Sequence, residues 1–248
     1  MDADAPVRWD DVTTSTNDTA LTMAAHGAPE WTLVAAGHQT EGRGRRGRVW
    51  TDEPGRALMC SVVLRPSLAP ERIGLVSIAG GVAMAEAASV IAGLNVRCTW
   101  PNDLFVDDTK VGGVLAESEV GGDLVRYVVL GVGVNLDAPG GMPDAGGIGD
   151  VDVEALLASY LFSLGELMDA APDEVRSRWA ALSRTLGRRV AATTVGGDAV
   201  RGVAADLDDT GALLVDTDAG RVRVAFGDVR HLRSGASRAR LPGRGGSR

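Results

Sequence analysis

The amino-acid sequence predicts an α+β fold, in which a large domain of sheet and helices is followed by a small β-barrel. Strands joined by tight turns are adjacent in the middle of the chain, and helical stretches lie before and after them, which favours α+β over a doubly wound sheet. From Gly187 the sequence changes to short β segments separated by Gly- and Asp-rich turns. The 248 residues therefore suggest a large domain at 1–186, a barrel at 187–234 and a basic, disordered tail at 235–248.

The large domain should begin with short strands and two helices. A polar trio at residues 15–17 predicts the cap of a helix over 18–26, and Pro70 is placed to start a helix over 70–92. The expected strands are at 7–12, 31–37 and 56–64.

A run of hairpin-linked strands should follow, and two helices should close the domain. The strands are expected at 96–99, 104–106, 111–119 and 124–136. After a Gly/Pro-rich loop at 137–150, the helices are expected at about 153–170 and 173–186. The barrel segments are expected at 189–195, 199–207, 212–217 and 221–226.

Composition excludes several classes of protein. A net charge of −8 argues against a general nucleic-acid binder. No apolar run approaches the roughly 20 residues of a membrane helix, and the acidic N-terminus lacks the layout of a signal peptide, so a cytoplasmic protein is expected. Cys60 and Cys98 form neither a disulfide framework nor a metal-ligand spacing and should be buried thiols.

Lysine usage singles out one position. Lys110 is the only lysine, so 24 of the 25 basic residues are arginine. If arginine serves wherever any cation suffices, the remaining lysine marks a place that requires a compact, titratable ammonium. For a single residue, chance is the alternative.

Residues 42–48 form a stretch of glycines and four arginines without an acidic residue. Its backbone is flexible enough to close on a ligand, and guanidinium groups match carboxylate and phosphate oxygens. Taken alone, the stretch fits a solvated loop or an RGG-type nucleic-acid contact better than a ligand-binding loop. Its spacing is not that of a Walker A loop.

Two further segments carry candidate residues. A hairpin after Trp100-Pro101 would bring Asp103 and Lys110 to one mouth, where they would meet a nucleotide; the alternative is that the polar turn only bonds local backbone. In the strand at 129–136, the residues that share one face are Gly131, Gly133 and Asn135. With Gly112-Gly113 on the neighbouring strand, they suggest a sheet cleared for a flat ligand, although tight strand packing also uses glycine.

Together these features suit a carboxylic acid that is activated by ATP. Attack of a carboxylate on an α-phosphate brings two anions together, so the barrier is largely electrostatic and positional. The acyl-phosphate anhydride also needs shielding from water, which a closing Arg/Gly loop would provide.

The order of the motifs resembles the biotin protein ligase family. The matching segments are Ser15-Thr16-Asn17, Gln39, GRGRRGRVW (42–50), WPNDLF (100–105), KVGGVLAE (110–117), GVGVNL (131–136) and FGDVRHLR (226–233). The resemblance implies a catalytic domain like that of class II aminoacyl-tRNA synthetases, followed by an SH3-like barrel. It also implies that biotin and ATP, with Mg²⁺, give biotinyl-5′-AMP and pyrophosphate. Biotin would then pass to a lysine of the biotin carboxyl carrier domain of an acyl-CoA carboxylase.

By position, the resemblance assigns roles to individual residues. Those expected to bind biotin are Ser15, Thr16, Asn17, Gln39, Arg43, Gly44, Arg45, Lys110, Gly113, Gly131 and Gly133. Those expected to bind ATP or the adenylate are Arg45, Arg48, Trp50, Asn102, Asp103, Lys110 and Asn135. The catalytic residues would be Lys110 and Arg45, with Asp103 as the candidate base for the acceptor lysine. No metal ligands are assigned.

Three alternatives to a biotin ligase remain at this point. A lipoate or octanoyl ligase of the same superfamily is disfavoured by the GRGRRGR loop. A non-catalytic biotin- or nucleotide-binding regulator would bind ligand without releasing pyrophosphate. An RNA binder of the RG type is disfavoured by the net charge of −8 and the 4% of aromatic residues. Family members that double as repressors carry an N-terminal winged helix-turn-helix, whereas a strand starts here almost at once, so no DNA or membrane partner is expected.

Overall fold

The computed structural model describes residues 5–194, 199–225 and 227–232. Within them, a seven-stranded mixed sheet has the strand order β1-β2-β3-β7-β6-β5-β4. Its strands are β1 (Val7–Asp10), β2 (Leu33–Ala36), β3 (Ala57–Leu64), β4 (Val96–Thr99), β5 (Asp103–Val106), β6 (Thr109–Gly121) and β7 (Leu124–Asn135). β1 runs parallel to β2, and the other neighbouring pairs are antiparallel. The α+β prediction is confirmed.

Helices cover both faces of this large sheet. They are α1 (Thr16–Ala25), α2 (Ile73–Ala92), α3 (Val153–Asp169) and α4 (Pro172–Leu182). α1 packs on β3 and β7 from one side, α2 packs on β6 and β7 from the other, and α3 and α4 lie on α2. The alternation of side chains divides the core accordingly: Val128 and Leu130 of β7 belong to the α2 side, and Val129 to the α1 side. Gly131 and Gly133 therefore lie on the same side as α1.

α2 is much more apolar than an amphipathic helix. Within the described ranges, residues 70–92 form the one helix that is long and apolar enough to cross a membrane, so the expectation that no apolar stretch approaches this length is wrong. Here 61% of its most apolar window is buried, between the large sheet on one side and α3 and α4 on the other. A core helix with neighbours on most sides is apolar around its whole circumference.

A second, five-stranded antiparallel sheet has the order β11-β10-β9-β8-β12. Its strands are β8 (Arg189–Thr194), β9 (Ala199–Leu207), β10 (Leu213–Thr217), β11 (Gly220–Val224) and β12 (Gly227–His231). The sequence named four of these segments and missed β12. The second sheet contacts the large domain where Trp100 Nε1 donates to Gly211 O at 3.0 Å.

Several helix boundaries differ from the prediction. α2 begins at Ile73, after a 3₁₀ turn at Pro70–Arg72, and not at residue 70. α1 starts at Thr16 rather than at residue 18, and Ser15 in the N-cap position makes no side-chain hydrogen bond to the helix. The polar trio thus lies in and before the first turn and is not its cap. α4 ends at Leu182 rather than at 186, because Ser183 Oγ accepts the N–H groups of Thr185 and Leu186. The ends predicted at 195 and 226, and the tail at 235–248, lie outside the described residues.

Candidate active site

A pocket opens on the α1 side of the large sheet, under the loop at residues 42–50, called here the Arg/Gly loop. It is lined by Ser15, Thr16, Asn17, Gln39, Arg43, Gly44, Arg45, Arg48, Val49, Trp50, Asn102, Asp103, Lys110, Gly113, Val114, Leu115, Gly131, Val132 and Gly133. Its volume is about 130 Å³. Sites for small molecules usually measure at least roughly 300 Å³, so the pocket is small for such a ligand in this conformation.

The floor of the pocket is a buried network of neutral groups. Thr16, Asn17, Gln39 and Ser61, together called the pocket floor, are each at most 9% exposed. Gln39 Oε1 accepts the N–H of Thr16 at 2.7 Å and its hydroxyl at 3.1 Å. Ser61 Oγ lies 2.8 Å from Thr16 Oγ1 and 2.6 Å from Asn17 Oδ1. Because these polar atoms satisfy one another, the floor is fixed before a ligand arrives.

Glu117 of β6 connects the pocket floor to the Arg/Gly loop. Its Oε2 accepts from Asn17 Nδ2 at 2.8 Å and from Arg43 Nη2 at 2.7 Å. Arg43 Nη2 also lies 2.5 Å from Asp18 Oδ1. Two carboxylates thus hold the Arg43 side chain, which is 40% exposed. A ligand carboxylate has to compete with them for this guanidinium.

The Arg/Gly loop is a narrow hairpin. Trp50 donates its backbone N–H to Gly42 O at 2.9 Å, and Gly44 donates to Arg48 O at 2.7 Å. A Cβ at position 42 would lie 2.4 Å from Trp50 O, so this crossing requires glycine. At the tip, Arg46 has a φ of 57° and Gly47 a φ of 71°, which turn the chain back. Backbone bonds therefore shape the loop and leave its side chains for other contacts.

Arg45 reaches from the loop to two other parts of the molecule. Its Nη1 donates to Asn102 Oδ1 and to Gly227 O of the second sheet, both at 3.3 Å. Asn102 Nδ2 in turn donates to Val114 O at 2.6 Å. Asn102 in the turn after Trp100-Pro101 therefore does hydrogen-bond a nearby backbone carbonyl, as one interpretation of this turn proposed. It also lines the pocket.

Lys110 and Asp103 meet at the pocket mouth, as the hairpin prediction requires. Lys110 Nζ donates to Asp103 Oδ1 at 2.6 Å. Their side chains are 36% and 25% exposed. The ammonium is thus paired and still accessible from the pocket, so it can reach an anion bound there.

The glycines of β7 make room for side chains of the protein itself. A Cβ at Gly131 would lie 1.9 Å from Asn17 Oδ1, and one at Gly133 would lie 2.8 Å from Trp50 Cζ2. The space over Gly131 and Gly133 is therefore filled by the Asn17 side chain and the Trp50 ring. Trp50 Nε1 is buried and has no hydrogen-bond partner among the described residues. A flat ligand would have to pack against these two side chains, not directly on the sheet.

The pocket is cationic on an acidic protein. Arg43, Arg45, Arg48 and Lys110 line it with a single lining carboxylate, that of Asp103. Asp18 and Glu117 pair with Arg43 from outside the pocket lining, and the chain as a whole has a net charge of −8. Such a local concentration of positive charge attracts anions to the pocket, whereas the net negative charge of the rest of the protein repels them.

All the site residues predicted from the sequence line this pocket, with the exception of Asn135. Asn135 is buried, and its Nδ2 donates to Gly146 O at 3.0 Å, so it fastens the loop at 137–150. The sequence reasoning missed Ser61 and gave no role to Glu117. Each had a signal: Ser61 is a polar residue in an apolar strand, and Glu117 shares a β6 face with Gly113.

Other chemistries find no support in the described residues. Cys60 and Cys98 are free and buried, as predicted, and burial raises the pKa of each thiol to about 12, so neither is a ready nucleophile. Within residues 5–194, 199–225 and 227–232, no group of three or more His, Cys, Asp or Glu side chains could hold a metal ion.

Two family descriptions match the chain. The biotin/lipoate A/B protein ligase family matches residues 9–135, which include the pocket-lining strands. The biotin protein ligase C-terminal domain matches residues 185–232, which include the second sheet.

Relatives and solved structures agree with these matches. The biotin–acetyl-CoA-carboxylase ligase of Mycobacterium tuberculosis is 35% identical over 237 residues, covering 89% of this chain and 87% of that protein. The enzyme of the same name from Paracoccus denitrificans is 33% identical, covering 88% and 97%. The structure of a biotin protein ligase from Aquifex aeolicus in complex with biotin and ATP superposes with a TM-score of 0.76 at 23% identity, covering 92% and 99%, which shows a shared fold.

Proposed function

The chain belongs to the biotin/lipoate A/B protein ligase family, and from this premise we infer that it is a biotin ligase. It activates biotin with ATP to biotinyl-5′-AMP and transfers the biotin to a lysine of a carrier protein. The observation that carries this conclusion is the cationic pocket: four cations and one carboxylate surround a neutral, buried floor. A neutral floor suits the uncharged ring system of biotin, and the cations suit its carboxylate and the phosphates of ATP.

In the first step, a carboxylate oxygen of biotin attacks the α-phosphorus of ATP. A carbon–oxygen–phosphorus linkage forms, the bond to the bridging oxygen breaks, and pyrophosphate leaves. Lys110, assisted by Arg43 and Arg45, offsets the charge that builds up as the two anions approach. Thr16 and Gln39 of the pocket floor hold the ring, so the carboxylate is presented in a fixed direction.

In the second step, the acceptor amine attacks the acyl carbon and AMP leaves. The amine loses a proton as the amide bond forms, and Asp103 is our candidate to receive it. Its position beside Lys110, with a partly exposed carboxylate, supports this role. An Asp103→Asn enzyme should therefore discharge preformed biotinyl-AMP slowly, and normal discharge by this variant would remove Asp103 as the base.

Magnesium is proposed to enter with the nucleotide. Mg²⁺ in nucleotide sites is usually held by phosphate oxygens, water and one or two carboxylates. The described residues offer no cage of three or more ligands, so Asp103 and Asn102 are the groups of the pocket that would approach the ion.

The partner, the location and the division of the chain are further proposals. The carrier is proposed to be a biotin carboxyl carrier domain of an acyl-CoA carboxylase, which the names of the two 33–35% identical relatives support. The large domain, barrel and tail are proposed at 1–186, 187–234 and 235–248, supported by the two sheets and by the two separate family matches. A cytoplasmic location without DNA or membrane partners remains a prediction.

The test is pyrophosphate release from ATP with biotin, with lipoate and without an acid. We expect release with biotin alone, its loss in Lys110→Ala, and its retention in Arg56→Ala, a control that removes an exposed arginine paired with Asp137. Release with lipoate alone would move the chain to the sister group of the family. Tight biotin binding without any release would mean a regulator and not an enzyme.

A further inference from the structure

The segments that flank the Arg/Gly loop are joined by a hydrogen bond between His38 and Asp52, neither of which lines the pocket. Asp52, two residues after the loop, has a fully buried side chain at 0% exposure, and its Oδ2 lies 2.8 Å from Nδ1 of His38, which is 27% exposed. Asp52 Oδ1 also accepts the backbone N–H of Gln39 at 3.4 Å. Both carboxylate oxygens thus face the segment that leads into the loop.

Burial makes this contact more demanding than the ion pairs on the surface. A carboxylate removed from water is costly unless hydrogen bonds replace its hydration. At Asp52 those bonds come from two consecutive residues, His38 and Gln39. Backbone bonds to Thr13, from Thr13 N–H to His38 O at 3.0 Å and from Thr40 N–H to Thr13 O at 2.9 Å, hold one side of the same segment, and the carboxylate holds it from the other side. Close by, Gly55 donates its N–H to Gly37 O at 3.2 Å and holds the same two chain segments together.

Gln39 connects the hydrogen-bonded pair of His38 and Asp52 to the pocket floor. Its backbone is held by Asp52, while its side-chain oxygen accepts both hydrogen bonds from Thr16 at the start of α1. A shift of Gln39 would therefore disturb Thr16 and the buried groups around it. The hydrogen-bonded pair can therefore influence the pocket although neither His38 nor Asp52 lines it.

We propose that Asp52 and His38 are positioning residues that hold Gln39 in register with Thr16 and thereby set the affinity of the pocket floor for biotin. The proposal rests on the proposed function. It places the effect of the pair on binding of the acid and not on the chemical step, because the groups that surround the phosphates are on the loop and at Lys110.

The decisive variants differ in the hydrogen bonds that they keep. Asp52→Leu removes both acceptors. Asp52→Asn keeps an oxygen that accepts the Gln39 N–H, and its amide N–H can donate to His38 Nδ1 when the His38 proton is on Nε2. In biotin-dependent pyrophosphate release, Asp52→Leu should raise the KM for biotin about tenfold and leave kcat and the KM for ATP within about twofold. Asp52→Asn should restore most of the wild-type KM.

Asp208→Leu is the matched control for a general loss of stability. Asp208 is also a poorly exposed carboxylate that accepts two backbone N–H groups, those of Thr210 and Ala212, but it lies in the turn between β9 and β10. The Asp208→Leu variant should lower the Tm without changing the KM for biotin. An unchanged KM in Asp52→Leu, a loss of kcat alone, or no rescue by Asp52→Asn would each overturn the proposal.

Amide hydrogen exchange gives a second test that does not depend on activity. The N–H groups of Gln39 and Thr16 should exchange faster in Asp52→Leu than in Asp52→Asn, and equal protection in both would overturn the proposal. Absence of biotin-dependent release in the wild type would instead refute the proposed function, and the exchange result would still decide whether Asp52 and His38 position Gln39.

Discussion

The floor and the mouth of the pocket are built on opposite principles. The floor groups Thr16, Asn17, Gln39 and Ser61 are neutral and at most 9% exposed, and they bond to one another. At the mouth, by contrast, the Arg43 and Lys110 side chains are charged, 40% and 36% exposed, and paired with carboxylates. The floor is part of the folded core, whereas the mouth consists of groups whose partners can be exchanged.

The difference follows from the cost of burying charge. Neutral polar groups can be buried when they are hydrogen-bonded, but an ion loses far more hydration and needs a partner. Groups that must bind and release phosphates therefore remain near water. We expect changes at the floor to affect stability and binding together, and changes at the mouth to affect the reaction with little effect on stability.

The largest effect is expected at the mouth, from Lys110→Arg. This variant keeps the positive charge but replaces a compact ammonium with a planar guanidinium, which cannot occupy the same point between two anions. Adenylate formation should fall by about 10²–10³-fold, as for the loss of one electrostatic donor at a transition state, and the Tm should stay within about 2 °C. Single-turnover kinetics and thermal unfolding measure the two quantities. Near-normal turnover would mean that the single lysine reflects composition alone.

A smaller effect on the reaction but a larger effect on stability is expected at the floor, from Gly131→Ala. The added Cβ would lie 1.9 Å from Asn17 Oδ1, so Asn17 has to move. Overpacking of this kind costs about 1–3 kcal/mol, and we expect a lower Tm together with biotin affinity weakened about 10- to 100-fold.

Gly81→Ala is the matched control for that change. It is a buried glycine of α2 with no atom within 4 Å of the new Cβ, so it should bind biotin normally. If Gly131→Ala lost affinity for biotin without a lower Tm, binding and stability would not be coupled at the pocket floor, contrary to our expectation.

A still smaller effect is expected from Asp18→Asn, which removes one of the two carboxylates that hold Arg43. Exposed ion pairs contribute about 0–1 kcal/mol, so biotin should bind no more than about fivefold more tightly, because one competitor for Arg43 is gone. Titration calorimetry measures this change. Weaker binding would show that Asp18 orients Arg43 for the ligand and does not compete with it.

No effect on the reaction is expected at Asp208, which lies away from both regions. Burial by itself raises the pKa of this carboxyl, but hydrogen bonds from Thr210, Arg223 and the Ala212 N–H lower it below its ordinary value of 3.8. Because the pKa of Asp208 is lower in the folded than in the unfolded protein, the ionised carboxylate stabilises the fold at pH values above that ordinary value. This contribution is lost as the pH falls through the folded pKa. The Tm difference between wild type and Asp208→Asn should thus be full at pH 7 and shrink below about pH 4. A difference that is constant from pH 7 to pH 3 would contradict this.

Several elements could be predicted because their signals are local. The hairpins of β5, β6 and β7 follow from turn residues and alternation, and α2 follows from its apolar run after Pro70. Local patterns also predicted that the hairpin brings Asp103 to Lys110 and that Gly131 and Gly133 share a face of β7. The other residues around the pocket were expected there from the family resemblance. The predicted start of α1 and the predicted end of α4 were wrong because Thr16 and Asn17 bond to distant residues and do not cap α1, and because Ser183 bonds to the turn that follows α4.

By itself, the sequence determined the α+β class, the cationic loop, the single lysine and the turn that brings it to Asp103. Only the tertiary structure decided that Gly131 and Gly133 make room for Asn17 and Trp50, and that Asp52 holds Gln39. The reason is distance along the chain. Asn17 bonds to Glu117, 100 residues away, and Gln39 bonds to Thr16, 23 residues away. Periodicity and capping rules act over a few residues, so partners of this kind become apparent only when the sheet brings them together.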